Sequence, residues 1–505
     1  MMNPAKSTHL KTSAAIAVIA ALLAALAIAQ TPANVKLPET PAGKTFGAFL
    51  AAFNSGDIET MRRFHSEHHG DVENAEKDKE FFDQSGGLVL YSVKASGDYE
   101  IEALVQTKSA GTWLNFKMRV EPSAPYPPTD IQAQPTEAPA AAPKSDAGAA
   151  RPPEAAKAPA PRLGETEIGQ SLTDYLDGLA KEDRFSGVVL LAKGGKPFYV
   201  KAYGLADKEK NLPNNPQTKF NLGSMNKMFT SVAIAQLAEQ GKLSFDDKVG
   251  KFLPDYPNKD VANKVTIHHL LTHTSGLGSY WNAKFDARRA QIKTVSDYLA
   301  LFADEPLLFE PGARFEYSNS GFIVLGAIVE KASGESYYDY VRKHIYEPAG
   351  MKNTDAYQMT EATPNLAMGY TSMGPDDRPA KGPRRPNTET RPNRGGPAGG
   401  GYSTVEDLLR FAVALQNHKL LSAKMTELIT TGKVAMGPGK YAYGFGDMQA
   451  NGQRFFGHNG GAPGIGSDLS IFPGLDYVAV VMTNYDPPLM MPVARKVREL
   501  LTQGY

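Results

Sequence analysis

Hydrophobic positions change their rhythm several times along the chain, and each change marks a different kind of element. Ala14 to Leu26 is an unbroken apolar run behind Lys6 and Lys11, followed by the small residues Ala27-Ile28-Ala29. That order reads as a secretory signal over residues 1–29, removed before Gln30, and it implies an exported protein, periplasmic or secreted. Left uncleaved, the same run would be a membrane anchor, the one membrane contact this reading allows. Phe46, Phe49, Leu50 and Phe53 then recur at helical spacing until Asn54-Ser55-Gly56-Asp57 breaks the stripe, and a second helix carries Met61 and Phe64. Three strand-like runs follow: Leu88 to Val93, the set Ile101, Ala103 and Val105, and the set Leu114, Phe116, Met118 and Val120. Residues 37–121 are therefore expected to form a small α+β module. Residues 122–162 are rich in Pro and Ala with few large apolar side chains, the composition of an extended linker.

From residue 163 to 505 the pattern is that of a larger domain. Glu165 to Leu179 is amphipathic, Phe185 to Ala192 reads as its first strand, and Asp468 to Pro473 and Tyr477 to Met482 read as two more. Gly374 to Gly396 is charged, Pro-rich and without apolar period, so it is expected to be a mobile insertion leading into Gly399-Gly400-Gly401, with a lid as one role for it.

Composition narrows the function classes. In 505 residues, 54 Lys and Arg balance 54 Asp and Glu, so nothing points to nucleic acid or another polyanion. Cysteine is absent, which removes disulfides and thiolate metal sites. Oligomeric state is left open.

Three segments carry the chemistry. Ser224-Met225-Asn226-Lys227 precedes a helical run through Met228, Val232 and Ala235 that stops at Gly241. Ser224 then stands at a helix start with Lys227 one turn on, on the same face. Free amides at that end favour negative charge, and a desolvated lysine can take a hydroxyl proton. A serine cap followed by a solvated lysine is the plainer alternative for this segment alone. In Tyr317-Ser318-Asn319, extended backbone would turn the phenol and the amide the same way, a proton carrier beside a group that orients a carbonyl or the lysine. His458-Asn459-Gly460-Gly461 lies at a strand end, where glycines admit a substrate backbone and leave amides as donors for an oxyanion hole.

Taken together, and with Phe220–Asn258, Val265–Gly278, Pro311–Gly334 and Gly399–Phe411, these segments resemble the serine beta-lactamase and penicillin-binding-protein superfamily, in its class C-like esterase and peptidase branch. The resemblance implies an α/β fold, an antiparallel sheet flanked by helices with an all-helical lobe, the cleft lying between them. It implies Ser224 as nucleophile, Lys227 as its proton acceptor, Tyr317 as shared acid/base, and the amides of Ser224 and Gly461 as oxyanion hole. Asn319, His458 and Gly460 join Gly461 as substrate-binding residues, with no cofactor and no metal. One departure matters: relatives usually carry Lys-Thr-Gly where this chain has His458-Asn459-Gly460. A histidine near neutral pH is largely uncharged, which favours esters or neutral amides over carboxylate-bearing substrates. The alternatives are a D-amino-acid peptidase or carboxypeptidase, a beta-lactamase, or a non-catalytic sensor of peptidoglycan or beta-lactams. Phe53-Asn54-Ser55-Gly56-Asp57 in the small module resembles the NTF2-like fold. His65, His68 and His69 are expected to be a solvated helix face, and His269 and His273 to be structural, since no glutamate follows His269.

Overall fold

The computed structural model describes residues 35–68, 74–108, 112–136, 161–374 and 382–505. The leader at 1–29, His69, much of the linker and residues 375–381 of the Gly374–Gly396 segment lie outside them. The chain divides into two units, Met1–Glu154 and Ala155–Tyr505.

In the first unit, helix α1 (Pro41–Asn54) starts where Thr40 accepts a hydrogen bond from the Gly43 amide and Pro41 fits the first turn. Helix α2 (Ile58–Glu67) is capped by Asp57, which accepts from the Thr60 amide at 2.9 Å. A third helix, α3 (Asn74–Ser85), has no regular apolar stripe and was not foreseen. The strands β1 (Leu88–Ser96), β2 (Glu100–Thr107), β3 (Trp113–Val120) and β4 (Pro128–Pro135) form one antiparallel sheet in chain order. Aromatic rings from α1 and β3 join the layers: Phe46 and Phe49 lie 5.2 and 5.4 Å from Phe116.

Two expectations change here. Strand β4 falls inside the segment expected to be linker and pairs Ala133 with Phe116 and Ile131 with Met118. It is an edge strand with prolines at its two ends, where a missing N–H costs no ladder bond, so composition alone hid it. His65 is buried rather than solvated, with Nε2 2.7 Å from Asp78 on α3, while His68 Nδ1 bonds the Phe64 carbonyl. The unforeseen helix supplies the carboxylate. Among the described residues, no group of three or more His, Cys, Asp or Glu could hold a metal.

The second unit is built on eight antiparallel strands. They are β5 (Gly187–Lys193), β6 (Lys196–Tyr203), β7 (Val434–Met436), β8 (Gly439–Tyr441), β9 (Gly446–Ala450), β10 (Gln453–Ala462), β11 (Ile465–Phe472) and β12 (Tyr477–Thr483), in the spatial order β7-β8-β9-β10-β11-β12-β5-β6. Strands β11 and β12 are buried at every position because both faces are covered, and β12 is apolar up to its closing Thr483. From β5, Val189 and Leu191 join a core with helices α4 (Glu165–Lys181) and α8 (Pro487–Thr502). Val188, Leu190 and Ala192 face the other way, toward α5 (Asn226–Glu239), α6 (Asn319–Ser333) and α7 (Val405–Gln416). That second core continues through the short helices between 249 and 349, the all-helical lobe. Among the described residues, no helix is long and apolar enough to cross a membrane.

Candidate active site

One turn of 3-10 helix, Gly223–Met225, leads into α5 and carries Ser224 beside β10. Met225, Met228, Phe229 and Val232 anchor this turn and helix in the core, while Ser224 keeps partial access to solvent. Gly223 has φ of +49°, and a Cβ placed there would come 2.8 Å from the Gly461 amide nitrogen on β10. Only glycine allows the serine loop and β10 to approach so closely.

Lys227 is fully buried. Its Nζ lies 2.7 Å from Asn319 Oδ1, 2.7 Å from the Ala398 carbonyl and 3.1 Å from Ser224 Oγ. Burial holds its pKa well below the usual lysine value, and no carboxylate among the described residues pairs with it. A neutral amine has two N–H groups and one lone pair. The two carbonyl oxygens take the N–H groups, which leaves the lone pair for the Ser224 hydroxyl.

Tyr317 lies against the same two residues. Its ring is 4.8 Å from Lys227 Nζ; the side chain as a whole is 42% exposed, yet the crowded surroundings of the hydroxyl raise the phenol pKa, partly offset by a hydrogen bond with Ser224. Tyr317 is held from both sides by His273, whose carbonyl accepts from the Glu316 amide at 2.8 Å and whose Nδ1 accepts from the Ser318 amide at 3.0 Å. The two rings stack at 4.2 Å. Burial above all, with Lys227 and His458 close by, holds the His273 pKa well below the usual value. Ser318 caps α6, so Asn319 opens that helix rather than continuing an extended run, and its amide reaches Lys227 from there.

The third segment is only partly where expected. It lies within β10, and the cavity around Ser224 is lined by Gly461 from this strand but not by His458 or Gly460. His458 is buried, with Nε2 2.9 Å from the Tyr441 hydroxyl and Nδ1 on the Asn459 carbonyl. Burial and the nearby Lys227 push its pKa down to about 3. Gly460 is needed for close approach: a Cβ there would stand 2.0 Å from the Leu222 carbonyl oxygen. Side chains alternate along a strand, so residues 458 and 460 pack inward while residues 459 and 461 do not.

The rest of the wall was not legible. Tyr280 and Trp281 come from the helical lobe, and Thr390, Arg391 and Pro392 from the segment expected to be a mobile insertion. In its described part, Asn387, Arg391 and Asn393 are buried, and backbone bonds tie Asn387 to Gly369 and Asn393 to Arg289 and Met359. Buried backbone bonds, not apolar periodicity, hold this segment, so a hydrophobic pattern could not reveal it. Ala398 is placed by the glycine turn after it, since Tyr402 and Ser403 pair with Asn221 and Phe220.

Residues 172–503 match the family described as Beta-lactamase. The chain belongs to the Beta-lactamase family. Other members found by this likeness include Penicillin-binding protein 4* of Bacillus subtilis, 33% identical over 314 residues, covering 58% of this chain and 66% of that protein, just under two thirds of its length. A penicillin binding protein structure from Bacillus halodurans aligns with a TM-score of 0.56 at 32% identity, over 63% of this chain and 98% of that one. EstCE1, described as a hydrolase with promiscuous acyltransferase activity, aligns with a TM-score of 0.54 at 25% identity, over 66% of this chain and 99% of that one. The Beta-lactamase family match covers most of the second unit and leaves the first unit outside it.

Proposed function

We propose that the protein is a serine hydrolase that works through an acyl-enzyme on Ser224 and acts on esters or neutral amides. The observation that carries this reading is the buried Lys227, its Nζ 2.7 Å from two carbonyl oxygens and 3.1 Å from Ser224 Oγ, with burial lowering its pKa toward the proton-accepting form. As Oγ attacks a substrate carbonyl, its proton passes to Lys227, and Tyr317 relays a proton to the departing group. The amides of Ser224 and Gly461, brought together by Gly223, receive the oxyanion. Water then attacks the ester carbonyl, and Ser224 leaves with the proton returned through the same pair.

The bond class rests on the third segment. His458 is neutral and turned toward Tyr441, so it offers no cation to a substrate carboxylate. The likeness to EstCE1 supports an acyl-transfer enzyme of this kind. A fluorophosphonate probe should label the wild type and not Ser224→Ala, and short-chain nitrophenyl esters should be turned over faster than a chromogenic cephalosporin. Equal labelling of the two proteins rejects the nucleophile, and faster cephalosporin hydrolysis rejects the ester reading.

A further inference from the structure

A second cavity, of about 420 Å3, lies in the first unit among its helices and the β3–β4 side of its sheet. That volume suits one small molecule, since such sites span roughly 300–1,000 Å3. Its apolar wall comes from Phe49 of α1, Phe81 of α3, Phe116 of β3 and Ile131 of β4, the last left 37% exposed. Phenylalanines offering faces and edges favour a flat ring over an alkyl chain.

Polar groups meet this wall at one place. His65 of α2 is only 3% exposed, and its Nε2 lies 2.7 Å from Asp78 Oδ2 on α3. A carboxylate can only accept, so Nε2 donates, and in the neutral ring Nδ1 is left as an acceptor. Among the described residues no donor is bonded to that nitrogen, although His65 lines the cavity. An unsatisfied acceptor at so dry a position costs free energy that a ligand donor would restore. The other charged groups on the wall are Asp130, which accepts from Gln132 Nε2 at 2.9 Å, and Lys77, whose Nζ donates to Asn74 Oδ1 at 2.9 Å. Two carboxylates, Asp78 and Asp130, against the one ammonium of Lys77 disfavour an anion here. No residue of the acyl-transfer site takes part.

We propose that the first unit is a small-molecule-binding module that takes a neutral aromatic hydroxyl compound, its ring among the phenylalanines and its O–H donated to His65 Nδ1.

Equilibrium dialysis of the full chain with 2-naphthol, 2-methoxynaphthalene and 2-naphthoate tests it. Wild type should bind 2-naphthol saturably, with the other two each at least about tenfold weaker, because the ether has no proton to donate and the acid brings a like charge. His65→Leu should weaken 2-naphthol about tenfold and bring it level with the ether. Ala133 is exposed and lines the same cavity, so Ala133→Trp should fill it and abolish binding without touching the His65–Asp78 pair. Ser224→Ala should bind 2-naphthol as wild type does. Should either first-unit variant not fold, the ligand series in wild type and in Ser224→Ala still decides. No saturable 2-naphthol binding, an ether or carboxylate bound as tightly, binding unchanged in folded His65→Leu or Ala133→Trp, or binding lost in Ser224→Ala would overturn the proposal.

Discussion

Lys227 owes its role to burial. Its lone pair faces Ser224 only when the amine is neutral, so kcat/KM for a neutral ester should rise with pH as Lys227 loses its proton and level off well below the ordinary lysine range. A pH–rate profile that climbs instead toward pH 10 would mean that the lysine stays charged. Lys227→Ala and Tyr317→Phe should each lower kcat at least about a hundredfold, and the double variant should be little worse than either, since one proton path serves both. His273 is a positioning residue at this scale. It touches no reacting atom, yet its carbonyl and Nδ1 bracket Tyr317 through the amides on either side. His273→Ala should therefore lower kcat by about ten- to a hundredfold with KM nearly unchanged, and His273→Asn, which keeps a side-chain acceptor, should recover part of the loss. A purely structural role would instead lower the folded fraction and leave the kcat of the folded protein intact.

At the scale of elements, the site depends on three pieces of backbone meeting without side chains between them: the 3-10 turn at Ser224, strand β10 and the glycine turn at 399–401. The contact is tightest at Gly460, where an added Cβ would fall 2.0 Å from the Leu222 carbonyl and 2.5 Å from Ser467 Oγ. Carbonyl and strand are both fixed, so neither can yield cheaply. Gly460→Ala should cost at least about 2 kcal/mol of stability, measured by denaturant unfolding, and should lower turnover in the fraction that folds. An alanine variant with unchanged unfolding midpoint and activity would show that β10 and the serine loop are not in close register.

For the whole molecule, two consequences follow from where charge and cores are buried. His458 has a folded-state pKa near 3 against about 6.5 when unfolded, so below pH 6.5 the unfolded chain binds the extra proton. The stability it carries is complete above about pH 6.5 and is lost as pH falls toward 3, amounting to about 2 kcal/mol by pH 5. Buried His273 adds to the same slope. Urea unfolding at pH 7 and pH 5 should show a smaller acid loss in His458→Gln than in wild type; equal losses would mean His458 is protonated in the fold. The two units have separate cores, one around Phe46, Phe49 and Phe116, the others around the eight-stranded sheet and its helices. A fragment of residues 161–505 should fold cooperatively and retain the turnover of neutral esters within about twofold. Loss of folding in that fragment would show that the first unit is required by the second.

Short-range chemistry was legible in the chain itself. The serine and lysine one turn apart, the apolar runs of β5, β11 and β12, and the stripes of α1 and α4 follow from local spacing and from which side chains must leave water, and the family resemblance follows from the same segments. Other features depended on partners distant in sequence. Strand β4 became visible only through its pairing with β3, and α3 only through its bond to His65 and the packing of Phe81 and Phe82 on Phe53 of α1. His458 is read from sequence as a substrate contact, but strand alternation and Tyr441 turn it inward. The segment around Arg391, charged and without period, is placed by backbone bonds to Gly369, Arg289 and Met359 that no local pattern encodes. Periodicity reports burial along one element, whereas the cleft is assembled from elements more than 150 residues apart, and only tertiary packing decides which of their polar groups face it.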